Sequence, residues 1–253
     1  MQPADDNSLL RQYVENHSDE AFAVLVERYI NLVYSVALRR VRDVHDAEEI
    51  AQAVFIILIR KAGSLRHDKV LSSWLFQTTR LTANNFIRSG IRRQHREQEV
   101  YMQSLLNEPN DETWRRIAPM LDAAVGALAD KDRRAILLRF YEGRNLQEVG
   151  AILGMSEDAA EKRVARALEK LRKIFLKQGL DSTTAAIAGT ISATSIQAAP
   201  AGLAKTISTV ALAKGTAASA STLTLTHGVL KIMAWTKMKT AIVLGTVVIA
   251  ATG

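Results

Sequence analysis

The chain has no cysteine, only four prolines and, beyond residue 180, a single acidic residue. Each scarcity excludes something. Without Cys there is no disulfide, no thiolate nucleophile and no zinc site built on thiolates, and a reducing cytosol suits such a chain. The five His (17, 45, 67, 95 and 227) are scattered with no HExxH spacing, so no metal site is expected. A phosphate loop of the GxxxxGK type, a GxGxxG turn and a GxSxG nucleophile elbow are all missing. No catalytic residue and no cofactor are therefore assigned, and the expectation is a protein that is not an enzyme. The opening MQPADDNSLL has no basic stretch followed by an apolar one, so the start of the chain is expected to stay in the cytoplasm.

Charge is present, in clusters. The net charge is +7, yet residues 1–180 carry 28 Lys and Arg against 25 Asp and Glu, while 181–253 hold five Lys against Asp181 alone. From Arg80 to Arg96 there are five arginines and no acid, and from Lys162 to Lys177 seven basic residues face one Glu. Such clusters suit a polyanion, because Lys and Arg contacts to phosphate release counterions; a solvated helix face is the bland alternative.

The first 180 residues read as helix almost throughout. Ser18 can cap a helix carrying Phe22, Leu25, Val26, Tyr29, Leu32, Val33 and Val36 at three-and-four spacing. A second helix starts near Asp46, buries Ile50, Ala51, Val54, Phe55 and Leu58, and ends before Gly63. A third runs from about Ser72 through Trp74, Leu75, Thr78, Leu81, Thr82, Asn85 and Phe86 into the basic run Arg88, Arg92, Arg93, Arg96. Three such helices can close one small core. Residues 97–116, with Pro109 and Asn110-Asp111, read as a linker. Two further helices are expected, one over about 114–128 with Ile117, Leu121 and Val125, the other over 131–142 capped by Asp130 with Ile136, Leu137 and Phe140 inward.

Beyond residue 180 the chain differs in kind. Ala, Ser, Thr and Gly fill 33 of the 50 positions from 181 to 230, a composition that reads as a flexible tether, with a weak Ala-rich helix as the alternative. No charge follows Lys239, and the 14 residues from 240 to 253 would make a helix of about 21 Å against a hydrocarbon core of roughly 30 Å. Such a run either dips into a membrane or continues in a longer chain; packing on the globular part is the alternative. Lys231, Lys237 and Lys239 on its N-terminal side would keep the preceding domains cytoplasmic.

The most informative stretch is LQEVGAILGMSEDAAEKRVARALEKLRK, residues 146–173. Asn145 can cap a helix ending at Leu153 with Leu146, Val149, Ile152 and Leu153 apolar, and Gly154 sits just past its end. Ser156 then caps a second helix, with Glu157 and Asp158 at the positive end of its dipole. Ala160, Val164, Ala167, Leu168, Leu171 and Ile174 form its apolar stripe, and Lys162, Arg163, Arg166, Lys170 and Lys173 crowd the other faces. A short support helix, a turn with Gly and a longer basic helix are the anatomy of a helix-turn-helix, whose second helix enters the major groove. Arg there can bind guanine edges and Lys can hold phosphate.

Three blocks in order, DAEEIAQAVFIILIRKAGSL (46–65), SSWLFQTTRLTANNFIRSGIRRQHR (72–96) and ALADKDRRAILLRFYEGRNLQEVGAILGMSEDAAEKRVARALEKLRK (127–173), resemble the extracytoplasmic-function (ECF) sigma factors of bacterial RNA polymerase, short members of the sigma-70 family. The resemblance covers about residues 18–177. It implies an all-α protein: a region 2 helical bundle over 1–96, a linker over 97–116 and a region 4 helix-turn-helix over 117–178. A tether over 179–230 and a membrane-associated segment over 231–253 complete the reading.

The same resemblance assigns roles. Asp46, Glu48 and Gln52 match the clamp-binding block as polymerase contacts, with Phe55 as core. Arg80, Asn84, Arg88, Arg92 and Arg93 fall where contacts to the minus-ten element cluster, beside Trp74 as packing. Ser156, Glu157, Lys162, Arg163 and Arg166 fall where the minus-thirty-five element is read. The implied partners are the bacterial RNA polymerase core and promoter DNA. An anti-sigma factor, and a membrane contact through the C-terminal segment that would tether the chain to the inner face of the cytoplasmic membrane, are further candidates. Three positions depart from the family pattern: Ala53 stands for a usual Glu, Glu161 for a basic residue and Ala165 for a frequent His. The alternative is a helix-turn-helix regulator that binds DNA without polymerase.

Overall fold

Helix α2 (Asp19–Val41) is the post around which the first half of the chain packs. Ser18 caps it by accepting from the Ala21 amide at 3.2 Å, and Phe22, Leu25, Val26, Tyr29, Val33 and Val36 are fully enclosed. The computed structural model describes residues 5–65, 70–90, 112–213 and 218–251, with backbone alone at 112–116 and 236–251. Helix α1 (Asp6–Asn16) lies on α2, where Asp6 accepts hydrogen bonds from Arg28 and Tyr29. Helix α3 (Val44–Lys61) is capped by Asp43, which accepts from the Asp46 amide at 2.8 Å. Helix α4 (Leu71–Arg88) closes the bundle and buries Leu75, Phe76, Ala83 and Phe86. Thr79 and Thr82 are buried in it without cost because each hydroxyl donates to the carbonyl four residues back, at 2.8 Å.

The second module follows with α5 (Glu112–Ala127), α6 (Asp130–Ile136), α7 (Leu146–Leu153) and α8 (Glu157–Lys177). Helix α5 takes in the last five residues of the expected linker; the rest of that linker, with Arg92 and Arg93, lies outside the described residues. Asp130 does not cap α6 as expected. Ala129 holds the cap position, and Asp130 sits in the first turn, where it pairs with Arg133 and Arg134 at 2.8 and 2.7 Å. The helix then widens to π geometry over Leu137–Tyr141, placing Tyr141 against Phe76 of α4 edge-on at 5.9 Å.

The expectation of a flexible tether over 179–230 is overturned. Most of its described residues are in helices α9 (Thr184–Thr194), α10 (Leu203–Leu212) and α11 (Ala220–Ala251), and α11 runs on into the apolar stretch beyond Lys239. Ile187 and Ile191 on α9, Ile207, Val210 and Ala211 on α10, and Leu225 and Val229 on α11 are buried. These sparse apolar residues recur at three-and-four spacing, so each short helix has one sticky stripe. The small residues between them let backbones approach, and their hydroxyls are satisfied internally, as at Ser208 to the Ala204 carbonyl (2.9 Å) and Thr226 to that of Thr222 (2.8 Å). Helix α9 packs on α8, α10 on α2 and α3, and α11 on α3 and α4.

Candidate nucleic-acid interface

Asn145 and Glu148 build the start of α7 reciprocally. The Glu148 amide donates to Asn145 Oδ1 at 2.8 Å and the Asn145 amide donates to Glu148 Oε2 at 2.9 Å, a capping box. The turn to α8 needs two glycines for different reasons. Gly154 takes φ of +68°, and a Cβ on Gly150 would stand 2.7 Å from the Met155 carbonyl oxygen, so the two helices meet there without a side chain between them. Met155 packs against Leu138, Val149 and Ala160, the small core beneath the turn. Ile152, counted among the apolar positions of α7, points outward instead and is 47% exposed.

Ser156 is the cap of α8, its Oγ accepting from the Ala159 amide at 3.3 Å. Glu157, Lys162 and Arg166 project into solvent from its first three turns, and Arg166 Nε donates to the Lys162 carbonyl at 3.0 Å. Arg163 is turned toward the protein, where its Nη1 donates to Asp132 Oδ1 at 3.1 Å while Lys170 holds the other oxygen of the same buried carboxylate. Lys162 and Arg166 thus form an open cationic edge, and Arg163 sits on its inner border.

The expected minus-ten residues are in a different state. Arg88 is exposed at the end of α4. Asn84 Oδ1 accepts from Arg40 Nε of α2 at 3.0 Å. Arg80 is drawn inward: its guanidinium lies 5.8 Å over the Phe76 ring, hydrogen-bonds Gln77 at 3.2 Å and occupies the space where Gly126 of α5 has no side chain. Burial lowers its pKa, with Arg133 and Arg40 adding to the effect and Asp122 opposing it. In this arrangement Arg80 and Asn84 are half-buried and make contacts within the chain.

On α3 the expected docking residues divide. Glu48 and Gln52 are half-buried, whereas Asp46 is 3% exposed and so does not face outward as a docking residue. Phe55 is enclosed in the core, as expected. Residues that sequence reasoning missed join the modules: Arg39 of α2 clasps Asp122 of α5, with Nε–Oδ2 and Nη2–Oδ1 both 2.9 Å, donates to the Ser195 carbonyl at 2.6 Å and lies over Tyr141. The available signal was an Arg directly after the wholly buried run Leu32–Leu38.

A bundle of helices followed by a capped helix-turn-helix with an exposed cationic edge defines a DNA-binding protein of the helix-turn-helix class. Residues 25–96 match the family described as Sigma-70 region 2, and residues 124–173 the one described as Sigma-70, region 4. The chain is 31% identical over 165 residues to the RNA polymerase sigma factor CarQ of Myxococcus xanthus, covering 62% of this chain and 91% of that protein. It is 29% identical over 166 residues to the ECF RNA polymerase sigma factor SigE of Mycolicibacterium smegmatis, 64% of each chain. It is also 26% identical over 191 residues to the probable RNA polymerase sigma factor RfaY of Xanthomonas campestris, there spanning 71% of this chain but 46% of the relative. The chain belongs to the extracytoplasmic-function group of the sigma-70 family of RNA polymerase sigma factors.

Proposed function

We propose that this protein docks on bacterial core RNA polymerase and directs it to promoters, acting by binding and carrying out no chemistry itself. The observation that supports this best is the second module: a capped helix-turn-helix whose Lys162 and Arg166 are exposed on the leading turns of α8, behind a region 2 bundle in the same chain. Lys162, Arg163 and Arg166 read or hold the minus-thirty-five element, with Ser156 and Glu157 fixing the start of the helix. Arg80, Asn84 and Arg88, with Arg92 and Arg93 further along, serve the minus-ten element, where cations hold phosphate beside unstacked bases. Glu48 and Gln52 on α3 contact the polymerase clamp. Since Arg80 lies against Gly126 of the second module, freeing it for promoter DNA requires the two modules to part.

The protein acts in the cytoplasm, and the uncharged end of α11 gives it a point of membrane contact. An anti-sigma factor is a further candidate partner. The direct test is to mix the full chain with core polymerase, ask for co-elution on a sizing column, then look for promoter-dependent run-off transcripts. DNA binding without polymerase binding would make the protein a regulator of the simpler kind. Full recovery in the soluble fraction of cells would remove the membrane contact.

A further inference from the structure

Helix α3 is apolar around its whole circumference over 50–58, with Gln52 the only polar residue there. A helix of that kind must be covered on every side. Its inner positions, Ala47, Ile50, Ala51, Val54, Phe55 and Leu58, follow the three-and-four spacing of one face and are enclosed by the region 2 bundle. The opposite strip, Glu49, Gln52, Ala53 and Ile56, has the same spacing, and Ala53 and Ile56 are nonetheless 0% exposed. What encloses that strip is the C-terminal segment. Thr222 of α11, 1% exposed, places its hydroxyl 3.2 Å from both Glu49 Oε1 and Gln52 Oε1, and Leu225 of α11 and Ile207, Val210 and Ala211 of α10 join the same apolar cluster as Ile56.

The segment is held at three further points on α2. The Gln197 amide donates to Ser35 Oγ at 2.7 Å, the Ala199 amide to Asn31 Oδ1 at 2.9 Å, and Arg39 reaches the Ser195 carbonyl. Its cover extends to α4, where Gly228 lies so close to Asn85 that a Cβ would stand 2.7 Å from Nδ2.

We propose that residues 195–213 and 218–235 form a removable intramolecular cover of the polymerase-docking face, so that they and the polymerase clamp compete for α3. Thr222 occupies the Gln52 carbonyl oxygen, so a partner that takes that oxygen competes with α11 for it. The bond to be broken there is a single hydroxyl shared between two acceptors. This inference rests on the sigma-factor reading above, and its test separates the two.

Two perturbations of opposite sign, both made in the full chain, test the cover. Thr222→Glu sets a carboxylate against Glu49 and the Gln52 carbonyl oxygen and should lift α11. Faster amide hydrogen exchange over α3 reports the lifting, and affinity for core polymerase, measured by competition with a labelled sigma factor, should rise about tenfold. Because the chain has no native cysteine, Thr222→Cys with Glu49→Cys can be joined by a reducible bismaleimide. The joined protein should lose polymerase binding, and reduction should restore it. Faster exchange with unchanged or weaker affinity, or full binding by the joined protein, would overturn the cover while leaving the sigma reading intact. If neither the parent chain nor the lifted variant binds polymerase at any concentration, the sigma reading falls, and the cover falls with it.

Discussion

Arg39 and Asp122 clasp each other across the boundary between the two modules, in a pair whose side chains are only 7% and 13% exposed. Burial alone would lower the Arg39 pKa; the Asp122 carboxylate and Tyr141 outweigh it and hold the guanidinium charged. Removing one partner leaves the other buried and uncompensated, which typically costs about 3–5 kcal/mol. Arg39→Ala and Asp122→Ala should each lower stability in urea by about that much, and the double variant by less than their sum. Additive losses in that cycle would show that the two residues act independently. Both variants should also expose Arg80, which lies against Gly126 of α5, by loosening the modules, visible as faster hydrogen exchange in α4.

Gly150→Val tests the helix-turn-helix geometry. The new side chain would meet the Met155 carbonyl, and overpacking of this kind costs about 1–3 kcal/mol. Duplex binding should weaken sharply while the region 2 bundle keeps its hydrogen-exchange protection. Unchanged DNA affinity would remove α8 as the reading helix.

The exposed edge of α8 makes a prediction in salt. Each phosphate contact contributes about 0.9 to the slope of log K against log salt. Lys162→Ala and Arg166→Ala should each weaken binding to promoter duplex and flatten that slope by about this amount, as read by fluorescence anisotropy over a salt series. Arg163→Ala should also lower stability, since it leaves the buried Asp132 with Lys170 alone. A slope unmoved by Arg166→Ala would place that side chain away from the backbone.

Glu142 predicts a pH dependence. Burial raises its pKa, with Arg144 at 3.6 Å opposing. A carboxyl whose folded pKa lies above its unfolded value binds its proton more tightly when folded. Its contribution is most favourable below the unfolded value and is lost as pH rises through the folded one. Glu142→Gln, which keeps the shape and removes the charge, should therefore gain stability relative to the parent at pH 7 and lose that advantage near pH 4. Parallel stability curves for the two proteins would show that this carboxyl does not titrate with folding.

Much of the architecture is written in local chemistry. Asn145, Glu148, Gly154 and Ser156 set the helix-turn-helix with interactions that span three or four residues, and Ser18 and Asp43 start α2 and α3 in the same way. Such signals are visible in sequence because both partners sit within one turn of chain. The tail was misread for the opposite reason. Its apolar residues are too sparse to mark a core of their own, and they become a core only against the preceding α8 and against α2, α3 and α4, which lie far away in sequence. Asp130 shows a smaller failure of the same kind: a good capping residue was drawn into the first turn by Arg133 and Arg134.

The site residues divide along the same line. Spacing and capping residues mark this chain as helical with a helix-turn-helix, and the resemblance of its three blocks to the sigma factors singles out the cations at 80, 88, 162, 163 and 166. Which of those cations is free was decided by tertiary structure. Arg166 and Arg88 stand in solvent, Arg163 is held by Asp132, and Arg80 fills a space opened by Gly126. The reason is physical: helix formation depends on neighbours along the chain, whereas the freedom of a charged side chain depends on which carboxylates, rings and gaps the fold brings to it from elsewhere.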